Sequence, residues 1–508
     1  MYQNPVLPGF YPDPSICRVG DDYYLATSSF EYFPGVTIFQ SRDLVHWRQI
    51  GHALTRESQL DLADARSSQG IFAPTLRHHD GLFYLVTTNV SGGGSFYVTA
   101  RDPAGEWSEP HWLREPVFTM DPSLLFAADG RAYYTRHGNG EHGGIYQAEL
   151  NLGAGQLAGE PKLIWSGTGG IWPEGPHLYE IEGRYYLLIS EGGTSTGHRL
   201  TIARSASPFG PFEPYAHNPI LTHSDRPTEP IQATGHGDLV QASDGRWWIV
   251  FLGIRRWDGE HHHLGRETFL APVEWNAEGW PIINHGAPIA LEMNAEGLPK
   301  GEPVPQPSAR DDFTAPSLGL MWNFLRAAPQ ERWSLGERPG FLRLHGSAAS
   351  LDSVSTPAFV GRRQRHFRSY AAARLEFEPG TPDERAGLTV RANEANHHDL
   401  VVVRAGSERR VQLWSRVAGT SSQIGDAKLS PGAVTLRIES FPDRYVFSAE
   451  DALGNLHELG NAPTAPLSSE SAGGFTGVYF GMFATSGGAA AMPVADFDWF
   501  EYRPLDAE

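Results

Sequence analysis

The chain has 508 residues, too many for one ordinary hydrophobic core, so two domains are the first expectation. Its formal net charge of −19 argues against nucleic acid and anionic membrane as partners, because both are polyanions. Cys17 is the only cysteine, which excludes an intramolecular disulfide and disfavours a thiol-metal site. The N-terminal Met-Tyr-Gln-Asn-Pro has neither a basic segment nor an apolar run, so no secretory signal is visible and a cytoplasmic setting is expected. No apolar stretch is long enough to span a bilayer.

Taken in chain order, the first 300 or so residues repeat a pattern: an acidic or glycine turn, two aromatics, then a short apolar run. The pattern occurs at Gly20-Asp21-Asp22-Tyr23-Tyr24, Asp80-Gly81-Leu82-Phe83-Tyr84, Asp129-Gly130-Arg131-Ala132-Tyr133-Tyr134, Glu182-Gly183-Arg184-Tyr185-Tyr186 and Asp244-Gly245-Arg246-Trp247-Trp248. An Asp-Gly pair between β-prone runs signals a hairpin, and 56 Gly with 38 Pro suit short strands better than long helices. Steps of roughly 50 to 60 residues fit four-stranded propeller blades, so five hairpins predict a five-bladed β-propeller over residues 1–294.

Upstream of each aromatic pair sits a short motif: Pro12-Asp13-Pro14, Phe72-Ala73-Pro74, Met120-Asp121-Pro122, Pro173-Glu174-Gly175-Pro176-His177 and Gly235-His236-Gly237-Asp238. The repeat puts Asp13, Ala73, Asp121, Glu174 and His236 at equivalent positions, where the innermost strands of a propeller face the central axis. One Asp-Pro alone would read as a turn cap. Three carboxylates in register are costly to gather, because neighbouring like charges resist joint ionisation, so stability gives no reason for the cluster. Two carboxyl groups flanking a glycosidic bond are the apparatus for its hydrolysis, and a third can raise the acid's pKa and orient it.

Asn4-Pro5-Val6-Leu7-Pro8-Gly9-Phe10-Tyr11-Pro12-Asp13-Pro14-Ser15, Asp121-Pro122-Ser123, Glu174-Gly175-Pro176-His177 and Gly265-Arg266-Glu267-Thr268 resemble glycoside hydrolase family 43, in its β-xylosidase and α-L-arabinofuranosidase branch. The resemblance implies an inverting enzyme with Asp13 as general base, Glu174 as general acid and Asp121 as the group that tunes and orients Glu174. It implies sugar contacts from Arg266, Phe30 and Phe475, and from Phe72 where tryptophan is the family's usual residue. Each has a plainer alternative: a surface ion pair for Arg266, a core ring for Phe30 and an isolated loop tip for Phe475. The resemblance also makes His236 a holder of a divalent cation in the central channel, calcium first. Because calcium prefers oxygen ligands, that histidine would act mainly within a water shell, and simple hydrogen bonding to the carboxylates is the alternative. His261-His262-His263 is expected to be a solvated loop rather than a metal cluster.

Past residue 294 the pattern stops, and residues 295–310 read as a Pro-rich linker. Alternating segments such as Ala372–Phe377, Ala386–Arg391 and Val401–Arg404 then predict a second all-β domain over 311–508, a concanavalin-like (jelly-roll) β-sandwich. The resemblance implies that its Gly473-Gly474-Phe475-Thr476-Gly477 loop closes one end of the pocket, which makes the enzyme exo-acting. The expected substrates are small xylo- and arabinoxylo-oligosaccharides, releasing β-D-xylose and α-L-arabinofuranose, with a non-catalytic sugar-binding propeller as the rival. A homo-oligomer is compatible with the sequence, and no organic cofactor is expected.

Overall fold

The computed structural model describes residues 1–508 except 116–117, 303, 306–307, 489–491 and 506–508. Five antiparallel sheets follow one another along the first part of the chain, each beginning with the strand nearest the axis. These inner strands are Ser15–Val19, Thr75–His79, Thr119–Phe126, Glu174–Ile181 and Ile231–Gln241. Each touches the next, and the fifth touches the first, so the five sheets form a closed ring of propeller blades. The aromatic hairpins join each inner strand to its neighbour, for example Val19 paired with Asp22 and Ile181 paired with Arg184. The rings of the aromatic pairs fill the space between blades, as where Tyr84 packs on Phe126 of the next sheet at 4.9 Å.

The ring is closed by the chain's own beginning. Tyr2–Gln3 pairs with Glu292–Met293, Asn4 exchanges side-chain hydrogen bonds with the backbone of Leu270, and Leu7 bridges Thr268. Near the axis, Arg77 of blade two reaches across to Asp238 of blade five through two hydrogen bonds of 2.8 and 3.0 Å. Ser15 and Tyr179 add hydroxyl donors to the same carboxylate at 2.7 and 2.6 Å. That fully buried carboxyl is held well below its usual range because the Arg77 charge and these donors outweigh the cost of burial. Four blades are thus tied to one anion on the axis.

Residues 311–505 build two facing sheets, and among the described residues their only helical turns are short. One sheet orders Ala358–Arg363, Tyr479–Thr485, Arg385–Asn393, Asn396–Ala405, Glu408–Val417 and Thr420–Lys428. The other centres on Val494–Pro504 between Leu342–His345 and Ser369–Glu376. Alternating buried residues such as Leu436, Ile438, Phe447, Phe480 and Met482 fill the space between them. The whole is a propeller followed by a concanavalin-like sandwich, an all-β chain as the hairpin and alternation signals predict.

The two parts share one apolar cluster, running from Ile38, Leu54 and Phe96 in the blades through Phe324 to Leu388 and Phe497 in the sandwich. Phe324–Leu325 pairs as a strand with Tyr32–Phe33 of blade one. Arg363 donates from Nε to the Phe10 carbonyl at 2.6 Å, and Arg326 donates to the Ala65 carbonyl at 2.6 Å. The sandwich is therefore seated against the face where the inner strands begin.

Candidate active site

A cavity of about 290 Å³ lies where the inner strands begin. Asp13, Asp121, Glu174, His236 and Ala73 all line it, so the five equivalent positions of the repeat meet in one place. Local backbone geometry puts them there. The ladder slips between Met120 and Ser123, between Glu174 and His177, and on both sides of Gly235, so each bulge redirects a side chain toward the axis. Asp13, Asp121 and His236 hold left-handed backbone angles of φ 54°, 52° and 48°. Such conformations cost about 1–2 kcal/mol each for residues carrying a Cβ, and three in one cavity mark strain kept for function.

Asp13 is 3% exposed and accepts two hydrogen bonds from Arg266, at 2.8 and 3.4 Å, and a third from the Ser28 hydroxyl. Arg266 is itself buried, donates to Thr194 Oγ1 at 3.2 Å and lies 5.4 Å from the centre of the Phe30 ring. It is no surface ion pair. Its place next to Asp13 follows from the strand Glu267–Trp275 of blade five, which starts one residue later and runs back beside the chain's first turn.

Glu174 makes no hydrogen bond among the described residues. Burial, then the negative charges of Asp121 and Asp13, push its carboxyl well above the usual range, against a smaller opposing pull from Arg266. Asp121 is also raised, by burial first, but it accepts the Gly175 N–H at 3.1 Å and faces His236 and His137. Burial and the neighbouring negative charges thus favour the protonated form of Glu174, whose side chain accepts no hydrogen bond among the described residues, while Asp121 keeps the Gly175 N–H. One cavity thus holds a carboxyl pushed toward its protonated form, Glu174, and a carboxyl bonded to a guanidinium, Asp13.

Phe30 is 2% exposed yet faces the cavity, which makes it both a core ring and a wall. Phe72 packs on it at 5.2 Å, and Phe475 lies 6.3 Å from each of the two rings. Phe475 comes from the sandwich, and its loop does meet the propeller. Its N–H donates to Ser68 Oγ at 2.8 Å, and its carbonyl accepts from Arg266 Nε at 3.3 Å.

The sequence reasoning missed Trp172, His198, Thr194, Met120 and Phe118, which also line the cavity. Trp172 precedes the Glu174 motif by two residues and packs on His137 at 5.8 Å, so its position beside the motif was the available signal. His198 carries no motif at all. Its Nδ1–H donates to the Ala233 carbonyl at 3.0 Å, and burial lowers its pKa to about 3, leaving a neutral ring with an acceptor nitrogen.

His261-His262-His263 is not a solvated loop. His262 is 6% and His263 1% exposed, because the segment is covered by the sandwich. His262 bonds to Glu470 at 2.7 Å, and His263 packs on Phe367 and Tyr445. Histidines one residue apart still diverge, and no metal cluster forms there.

For the divalent cation, His236 is the relevant donor. Its ring makes no hydrogen bond among the described residues, and its Nδ1 stands 3.8 Å from Asp13 Oδ1, within a field of carboxylates that suits a cation. Among the described residues no group of three or more His, Cys, Asp or Glu could hold a metal ion. The described residues thus offer a single imidazole beside carboxylates and no all-protein cage.

Comparison with known proteins agrees with this geometry. Residues 2–281 match the family described as glycosyl hydrolases family 43, and residues 310–503 match the β-xylosidase C-terminal concanavalin A-like domain. A Bacteroides ovatus protein named non-reducing end α-L-arabinofuranosidase BoGH43B is 45% identical, over 99% of this chain and 95% of its own length. A Butyrivibrio fibrisolvens protein named xylosidase/arabinosidase is 39% identical over 98% of both chains. Among solved structures, the Bacteroides ovatus xyloglucan PUL GH43B superposes with a TM-score of 0.96 at 43% identity, covering 99% of this chain and 100% of that one. A xylan β-1,4-xylosidase from Bacillus halodurans gives 0.94 at 37% identity, over 99% and 100% of the two chains. With its three channel carboxylates, its propeller and its trailing sandwich, the chain belongs to glycoside hydrolase family 43.

Proposed function

We propose that this glycosidase removes single β-D-xylose and α-L-arabinofuranose units from the non-reducing ends of xylo- and arabinoxylo-oligosaccharides, with inversion. The observation that carries the reading is the split between two carboxyls in one cavity: Asp13 held by Arg266 and Ser28, Glu174 pushed well up by burial and its neighbours. The names of the relatives from Bacteroides ovatus and Butyrivibrio fibrisolvens support both sugars.

In the proposed reaction, Asp13 accepts a proton from a water molecule as that water's oxygen attacks the anomeric carbon from the face opposite the leaving group. The glycosidic C–O bond breaks, and Glu174 gives its proton to the departing oxygen. The products are a pentose of inverted configuration and an oligosaccharide shorter by one unit, with Asp13 protonated and Glu174 ionised until solvent resets both. Asp121 keeps the proton on Glu174 before the reaction and, through Gly175, fixes the backbone that carries it. Phe30, Phe72 and Phe475 offer ring faces to the apolar face of the sugar, and Arg266 offers guanidinium N–H groups to its hydroxyls as well as to Asp13.

The test pairs two substrates. Asp13→Ala is expected to abolish hydrolysis of nitrophenyl β-D-xylopyranoside and of xylobiose alike. Glu174→Ala is expected to lose far more on xylobiose, whose leaving group needs the proton, than on the nitrophenyl glycoside. Equal losses on both substrates would overturn the acid assignment. Wild-type rates on matched nitrophenyl xylopyranoside and arabinofuranoside rank the two sugars.

We also propose a calcium ion on His236 within a water shell, which would add positive charge beside Asp13 and favour its ionised form. Chelation is expected to lower kcat several-fold and calcium to restore it. Unchanged activity after chelation would remove the ion from the proposal and leave the carboxylate assignments standing.

A further inference from the structure

A cavity of about 570 Å³ lies where the propeller and the sandwich meet, and it shares no wall residue with the active site. Three stretches of chain line it: the first turn at Leu7 and Tyr11, blade one at Trp47 and Gln49, and the sandwich at Arg362 and Arg365. Gln49 ties two of these together by donating to the Leu320 carbonyl at 2.7 Å.

Two guanidinium groups stand in this wall with no anion to meet them. In the strand Ala358–Arg363 successive side chains point to opposite faces. Arg363 turns one way and donates to the Phe10 carbonyl at 2.6 Å and to Asn323 Oδ1 at 2.8 Å. Arg362 turns the other way, into the wall of the cavity. It is 8% exposed, its Nε makes no hydrogen bond among the described residues, and its Nη2 meets only the Met321 sulfur, at 3.8 Å. Its Cζ lies 4.8 Å from the centre of the Tyr502 ring. Arg365 follows three residues later, and its buried Nε also makes no hydrogen bond among the described residues. The two acids of the same wall are engaged elsewhere. Asp312 pairs with Arg310, and Asp311 accepts from Trp322 Nε1 at 2.8 Å and from the Phe313 N–H at 3.0 Å.

Buried cations of this kind are unfavourable, because hydration is lost and no nearby charge offsets the loss. Burial, with the Arg365 charge acting in the same direction, pushes the Arg362 guanidinium down to about 10. In a chain of net charge −19, two cations gathered without partners are not a product of composition. Guanidinium groups present N–H donors in a fork that carboxylate and phosphate oxygens accept. The rings of Tyr11, Trp47 and Trp322 line the same space and give a carrier of that anion apolar surface to rest on. The volume is that of a small-molecule site.

We propose that this cavity is a binding site for a small oxoanion, a carboxylate or phosphate group seated between Arg362 and Arg365, which joins the propeller to the sandwich. The inference stands apart from the glycosidase reading and needs neither the catalytic carboxylates nor their substrate. The site exists only while the two parts are docked, so its ligand stabilises the folded chain by mass action.

Calorimetric titration and thermal melting of the full chain test this, at constant ionic strength with chloride as the balancing anion. The probes are D-glucuronate, D-glucose 6-phosphate and inorganic phosphate, with neutral D-glucose as the control. At least one oxoanion is expected to bind as a single equivalent and to raise Tm by several degrees, and D-glucose to do neither. Arg362→Met and Arg365→Gln are each expected to weaken that binding at least about tenfold and to erase the shift in Tm. Without oxoanion, Arg362→Met is expected to melt no lower than wild type, because an apolar chain of similar length replaces a buried cation that lacks a partner. Arg365→Gln, at a half-buried position, keeps the test open should the methionine variant fold poorly. The order of the probes names the source of the anion. Glucuronate ahead of both phosphates points to an acidic sugar, and inorganic phosphate level with the sugar phosphate points to free phosphate. The proposal is overturned if no oxoanion binds, or if the shift in Tm persists in both variants. A lower Tm of both variants without ligand would assign the two arginines a purely structural part and overturn it as well.

Discussion

In the proposed mechanism Asp121 transfers no proton, yet its charge is expected to set the pH range over which Glu174 can act. Its negative charge opposes loss of the Glu174 proton, second only to burial in raising that carboxyl. Under the proposed assignment hydrolysis needs Glu174 protonated, so the alkaline limb of kcat/KM is expected to mark the loss of that proton. Replacing Asp121 with Asn removes a charge that held the proton on. The alkaline limb of Asp121→Asn is therefore expected to move to lower pH, measured on a substrate that needs the acid, such as xylobiose. A limb that stays in place or moves up would break the electrostatic account. The three carboxylates were legible because the repeat put them in register and because like charges are not gathered without purpose. His198 and Thr194 were not legible, since a neutral histidine bonded to a backbone carbonyl leaves no trace in composition or spacing. The burial of His262 was misread because the residues that cover it lie about 200 positions away, at Glu470 and its neighbours.

The inner strands do the positioning, and they do it where they are least regular. A straight strand would alternate its side chains across the blade, whereas the bulges at Asp121, Glu174 and His236 turn successive side chains toward one axis. Gly175 shows what this requires. Its φ is +57°, and a Cβ there would stand 3.1 Å from the His236 ring. Gly175→Ala is expected to lower kcat by more than tenfold while costing about 1–2 kcal/mol of stability, the strain of one left-handed residue. Activity loss without that modest drop in Tm, or the reverse, would separate positioning from strain. Alternation and hairpin turns gave away which strands exist. The bulges were hidden, because an Asp-Pro or Glu-Gly at a strand's start reads the same whether the ladder slips or not. The Phe475 loop was placed by resemblance, and its anchors at Ser68 and His262 came only from the fold.

Across the whole molecule, the sandwich is part of the catalytic architecture rather than an appendage. It supplies Phe475, covers the His262 segment and shares an apolar core with the first two blades. Arg326 is 1% exposed, donates to the Ala65 carbonyl of the propeller and is paired with Glu394. Removing that guanidinium leaves the Ala65 and Ser355 carbonyls without its donors and Glu394 with Arg391 alone. Arg326→Met is expected to cost roughly 3–5 kcal/mol, and wild-type calorimetry to show one unfolding transition, because neither part keeps its contacts when the other melts. Two resolved transitions would show the parts to be independent. The succession of a propeller and a sandwich was readable from the change of pattern along the chain. The tightness of their union was not, since it lies in arginines whose partners are scattered over distant stretches of chain.

The ring's seam has a consequence for the order in which the enzyme comes into being. Tyr2 and Gln3 pair with Met293 and Glu292, and Leu7 with Thr268, while the base Asp13 follows directly behind that stitch. During synthesis Asp13 leaves the ribosome some 250 residues before Arg266 and the strands that hold it. Blades one to four can assemble before Asp13 meets its guanidinium. Only when the last blade captures the beginning of the chain does Asp13 acquire its guanidinium and its place opposite Glu174. Until that closure Asp13 has no guanidinium beside it, and deletion of residues 1–8 is expected to reproduce that unfinished state as a loss of hydrolysis.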